Sequence, residues 1–158
     1  MTFKVLGVSH VGFAPKDINK ASDFLSAILG LKQIGHDEVV VEQKTTTRMF
    51  ESRSSAIPTN PSLTTEKMPE ELTRIELLQA TPTSEGPIAS FLEKKGAGIH
   101  HLAFKVDNIE AALQFLKSNN IELIDQVPRI GAGNCKIVFV HPRATGGILI
   151  ELTEEADS

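Results

Sequence analysis

Cysteine is almost missing: Cys135 is the single one among 158 residues, so no disulfide can form within the chain and a reduced setting is expected. No apolar run approaches the ~20 residues that a membrane helix requires. The N-terminal stretch MTFKVLGVSHVGFAP has no basic region followed by an apolar one. A soluble, cytoplasmic protein is expected. Positive charge is also scarce, since 16 Lys and Arg stand against 20 Asp and Glu and leave a formal charge of −4. Nucleic acid and anionic membranes need a clustered basic surface, and the sequence offers none, so neither is an expected partner. What the chain does have is 41% hydrophobic residues over a length that supports a single core, which makes 1–158 one expected domain.

The chain repeats itself. VSHVGFAPKDINKASDFL (8–25) set above IHHLAFKVDNIEAALQFL (99–116) matches at His10/His101, Phe13/Phe104, Ile18/Ile109, Ala21/Ala112, Phe24/Phe115 and Leu25/Leu116, all at the offset 101 − 10 = 91. In both copies apolar residues first alternate, as on a half-buried strand. They then recur at helical spacing: Ile18, Ala21, Leu25, Ile28 and Ile109, Ala112, Leu113, Leu116. Gly30 and the Asn119-Asn120 pair follow as left-handed helix stops.

Strand-like segments come next, roughly 31–41, 45–50 and 74–79 in the first copy and 122–130, 136–141 and 147–153 in the second. The expected fold is therefore α+β, a βαβββ module used twice to form a curved mixed sheet. Module one spans about 4–80 and carries an insertion at 53–72, RSSAIPTNPSLTTEKMPEEL, rich in Ser, Thr and Pro and read as a surface loop. A connection containing a short helix, about 83–97 with Pro87 in its first turn, leads to module two at about 98–153.

Successive residues of a strand face opposite sides of the sheet. If Val11 and Phe13 face the helix, His10 and Gly12 face away; if Leu102, Phe104 and Val106 face the helix, His101 and Ala103 face away. Glu76 between Ile75 and Leu77, and Glu151 between Ile150 and Leu152, repeat the signal on the last strand of each module. An inward carboxylate is costly unless paired or bound to a cation. Equivalent strands of a pseudo-symmetric repeat converge, so His10, Glu76, His101 and Glu151 are the expected ligands of a shared divalent metal. His100 falls on the packing side and reads as structural. His36 and His141 read as turn or surface residues, Cys135 as a small strand residue, and Lys94, Lys95, Arg129 and Arg143 as solvated charges.

The repeat and its four ligands resemble the vicinal oxygen chelate, or glyoxalase-like, superfamily. Within it, GPIASFLEKKGAGIHHLAFKVDNIEAAL, PRIGAG and HPRATGGILIEL are similar to the methylmalonyl-CoA epimerases. The resemblance implies a metal-dependent epimerisation of a CoA thioester through an enolate, a homodimer, and cobalt as the ion, with zinc, manganese or nickel as alternatives. It also implies a catalytic base at the Glu of a Glu-Gln pair, here Glu42-Gln43, although Lys44-Thr45 and the 53–72 insertion depart from the family pattern at that point. Proton transfer on both faces of a carbon calls for two bases, and Glu42 and the metal-bound Glu151 are the candidates. A lactoylglutathione lyase, another metal-dependent member of the superfamily and a metal-free small-molecule binding protein remain alternatives.

Overall fold

The computed structural model describes residues 3–54, 72–83 and 85–156. Of the expected insertion, residues 55–71 lie outside the described residues. Strand β1 (Val5–Ala14) leads to Asp17, whose carboxylate accepts from the backbone N–H groups of Asn19 and Lys20 and so caps helix α1 (Ile18–Asp23). In the second copy β5 (Gly98–Val106) leads to Asn108, which caps α3 (Ile109–Ser118) in the same way through Ala111 N–H. The helix stops fall where expected, with Gly30 at φ 70 and Asn120 at φ 57.

The remaining strands are β2 (Leu31–Val40), β3 (Thr45–Ser54), β4 (Arg74–Ala80), β6 (Arg129–Ile130), β7 (Lys136–Val140) and β8 (Ile150–Glu154). Helix α2 (Pro87–Lys95) joins the modules. The eight strands among the described residues form one mixed sheet in the order β2-β3-β4-β1-β5-β8-β7-β6. The antiparallel β1–β5 pair is the seam, with β4 parallel to β1 on one side and β8 parallel to β5 on the other. The sheet curls until its edges approach: Gly133 N–H, in the turn between β6 and β7, donates to Glu38 of β2 at 2.8 Å. Helices α1 and α3 cover the convex face, where Ile109 and Ala112 pack with Val106, Val138 and Leu152, and Ile18 packs with Phe50 and Leu77. Each such buried Ile, Leu or Phe contributes about 1.5–3 kcal/mol.

Four expectations are corrected. The first helix is α-helical only to Asp23 and widens into a π-turn over Phe24–Ile28, where Ser26 Oγ donates back to Ser22 O. Ile28 is thereby carried away from the sheet and left exposed. The strand expected over 122–130 exists only at Arg129–Ile130, with Leu123 in an isolated bridge to Val140. Here the buried Asp125 carboxylate accepts from Phe139 N–H in place of a backbone carbonyl, and Pro128 offers no donor to a ladder. The last strand starts at Ile150, not 147, because Gly146 and Gly147 turn at positive φ; likewise Cys135 precedes β7 and caps a short turn.

Candidate metal centre

The four central strands bring one ligand-type residue each to the concave face: Glu76 on β4, His10 on β1, His101 on β5 and Glu151 on β8. Strand register explains their convergence. Gly12 pairs with Glu76 on one side and His101 on the other, while its counterpart Ala103 pairs with Glu151 and His10. Small residues at these two places leave room for the rings. A Cβ on Gly12 would lie 2.3 Å from His101 Cε1, so the position accepts only glycine unless the imidazole moves.

The imidazole Nε2 atoms of His10 and His101 are 3.0 Å apart. Glu76 Oε2 lies 3.6 Å from the first and 3.4 Å from the second; the two oxygens of Glu151 lie 3.8 and 3.6 Å away. His10, Glu76 and His101 keep one donor atom each within 4.8 Å of one another, and Glu151 closes the fourth side. Behind the rings, Ser9 Oγ is 3.2 Å from His10 Nδ1 and His100 Nδ1 is 3.0 Å from His101 Nδ1. The tautomers with protonated Nδ1 donate to these partners and leave both Nε2 lone pairs for a metal. His100 also stands edge-on to Phe91 at 5.0 Å between ring centroids. Of the adjacent histidines, one enters the cluster and the other braces it.

All four groups are buried. Burial raises the Glu76 carboxyl to about 8 and, with the neighbouring Glu76 charge, lifts Glu151 well above the carboxylate range. Burial lowers His10 to about 4, helped by the Arg74 charge, and holds His101 well below its ordinary value. The close His and Glu atoms are therefore not ion pairs: desolvation keeps each neutral. Such a cluster is unfavourable by itself. Two neutral imidazoles and two carboxylates match a divalent cation in ligand type and in charge, so the residues fit the ion that the fold implies.

Protein freed of metal carries the cost, and its sign follows. Glu76 keeps its proton to about 8 in the folded chain against 4.5 for the free group, so unfolding releases a proton in that window and stability falls as pH rises through it. His10 is shifted the other way, from 6.5 to about 4; its contribution is complete above 6.5 and lost as pH falls towards 4. Above about pH 6.5 the carboxylates of the cluster act alone. The melting temperature of chelator-treated protein is expected to drop on going from pH 6.5 to 8, and an added divalent ion is expected to flatten that drop. The same slope with and without ion would remove the cluster as the ion's site.

Glu42 does not join the cluster. It is exposed on a short turn, Val41–Gln43, that ends at Lys44 in the left-handed region, and Lys44 is tied to Glu85 at 2.8 Å. Its neighbour Gln43 points inward instead and lines the cavity of about 40 Å³ that holds His10, Glu76 and Glu151. Arg129, read from sequence as a solvated charge, is partly buried, lies 2.7 Å from Asp125 and stands 6.0 Å from the Phe139 ring.

The profile of the Glyoxalase/Bleomycin resistance protein/Dioxygenase superfamily matches residues 9–139. The chain belongs to this superfamily. It is 36% identical to YqjC of Bacillus subtilis over 147 residues, 93% of this chain and 91% of that protein. It is 33% identical over 153 residues to the mitochondrial methylmalonyl-CoA epimerase of Mus musculus, covering 96% of this chain and 75% of the mouse protein. The crystal structure of methylmalonyl-CoA epimerase from Mycobacterium tuberculosis superposes with a TM-score of 0.80 at 30% identity, over 99% of this chain and 93% of the other.

Proposed function

We propose that this chain, acting as one domain over 1–158, epimerises methylmalonyl-CoA by moving the proton on the carbon between thioester and carboxylate from one face to the other. The observation that carries the reading is the buried His10, Glu76, His101 and Glu151 cluster, in a chain similar to methylmalonyl-CoA epimerases over nearly its whole length. His10, Glu76, His101 and Glu151 would hold a divalent ion, with cobalt the one implied by the resemblance. When bound, the ion supplies positive charge that stabilises the negative charge developing on the thioester oxygen.

The chain's own residues move the proton. Glu76 and Glu151 sit on the two strands that flank the histidine strands, so the carboxylates reach the centre from opposite sides. One carboxylate takes the proton from one face and the other returns a proton to the opposite face. Glu42, the base that the resemblance implies, stands exposed on its turn outside the cluster. The reading extends to a homodimer in the cytoplasm. Among the described residues, no helix is long and apolar enough to cross a membrane.

The test is solvent exchange. Metal-loaded protein in deuterated water is expected to place deuterium at the α-carbon of methylmalonyl-CoA and to interconvert its stereoisomers, and chelation is expected to stop both. Turnover of the hemithioacetal of methylglyoxal with no exchange into methylmalonyl-CoA would replace this reading with a lactoylglutathione lyase.

A further inference from the structure

The concave face has two unlike ends. Strand alternation puts Arg74 on the face of Glu76, and Glu155 on the face of Glu151. Because β4 and β8 run in opposite directions, Arg74 at the start of one meets Glu155 just beyond the end of the other. Arg74 Nη2 donates to Glu155 Oε1, and Lys105 Nζ donates to Glu155 Oε2 at 2.9 Å. The far end of the face is mainly apolar: Leu78, Ile88, Phe139 and Leu149 line a cavity of about 140 Å³ there, and Arg129, which also lines it, is paired with the buried Asp125.

Arg74 and Glu155 line the small cavity of the cluster and also two wide ones, of about 480 and 520 Å³, that adjoin it. The side chains are 37% and 36% exposed, so solvent screens the pair and an incoming anion can exchange with it. A guanidinium offers a planar fork that matches a carboxylate, and here it already holds one from its own chain.

We propose that Arg74 is the recognition residue for the free carboxylate of the acyl group, and that Glu155 is an internal stand-in which the substrate carboxylate displaces. The proposal rests on the thioester reading above and adds to it the residue that selects a carboxylated acyl group. Displaced Glu155 keeps a partner, since its second oxygen remains with Lys105. A phosphate of the CoA nucleotide is the other anion of that substrate, but it lies a whole pantetheine arm from the thioester. Arg74 shares the small cavity with His10, Glu76 and Glu151, which fits an anion one bond from the reacting carbon.

Calorimetry on metal-loaded protein tests this with malonyl-pantetheine and acetyl-pantetheine, thioesters without nucleotide phosphates. Wild type is expected to prefer the malonyl form. R74M is expected to lower that preference about tenfold or more, as loss of a charge-assisted hydrogen bond does, with acetyl affinity unchanged. R74K keeps the charge without the fork and is expected to fall between, which covers a poorly folding R74M. E155Q is expected to raise malonyl affinity several-fold. Unchanged preference in both arginine variants overturns the proposal, as does a loss of affinity seen equally for malonyl-CoA and acetyl-CoA but for neither pantetheine ester. Lower malonyl affinity in E155Q overturns the stand-in role. Deuterium exchange measured alongside separates the two readings: exchange with an unchanged preference sinks only the Arg74 proposal, and an Arg74-dependent preference without exchange sinks only the epimerase.

Discussion

His10→Ala and His101→Ala are each expected to lose the bound divalent ion and the epimerase activity together. Each imidazole brings its Nε2 to within 3.0 Å of the other and within 4 Å of both carboxylates, so neither has a substitute within the cluster. The loss should exceed the ~10–100-fold that removal of an outer partner of a metal ligand costs. His100→Ala supplies that smaller effect as an internal scale: it takes away the Nδ1 partner of His101, so metal affinity should weaken while activity returns at saturating metal. Metal content by elemental analysis, with the α-proton exchange rate on the same samples, gives both readouts. An ion retained by His101→Ala but lost from His100→Ala would put the β5 register one residue off and undo the site.

That register was open to reading because strand alternation is rigid. The histidines repeat at an offset of 101 − 10 = 91 and the glutamates at 151 − 76 = 75; each glutamate falls between two apolar residues and each histidine precedes one, and the side of those apolar residues is fixed by the helices. Even with β1 irregular in its pairing at Gly7 and His10, His10 and Gly12 remain on the concave side with His101 and Ala103. The same rule reaches Arg74 and Glu155, two and four residues from the glutamates, once the strands are known to be neighbours. Turns carry no such periodicity. Whether Glu42 or Gln43 points inward depends on Lys44 at φ 50 and on its contact with Glu85, 41 residues away, neither of which local pattern encodes. The 122–130 segment departs from its expected strand for a related reason: its apolar residues suit a strand, but after a single bridge at Leu123 the Asp125 carboxylate accepts from Phe139 N–H and pairs with Arg129, and the ladder does not continue. The π-turn after Asp23 likewise breaks a spacing that the sequence shows as continuous helix.

The carboxylates give the sharpest contrast. Glu151→Gln is expected to keep the fold and lower epimerisation by about 10²–10⁴-fold at saturating metal, the usual cost of losing a general base. Glu76→Gln should match it in size. Saturating metal matters because each change also removes a negative charge from the cluster. Since each carboxylate serves one face, either variant should still wash the α-proton of one stereoisomer into deuterated water while barely interconverting the two, and the labelled isomer should be opposite in the two variants. Glu42→Gln changes a side chain that stands in solvent and is expected to leave both rates within a few-fold of wild type. A different pattern would be decisive in the other direction: loss of exchange from one isomer in Glu42→Gln, with Glu76→Gln still interconverting both, would make Glu42 the second base. The turn Val41–Gln43 would then have to swing inward when substrate binds, breaking the Lys44–Glu85 contact that holds it away.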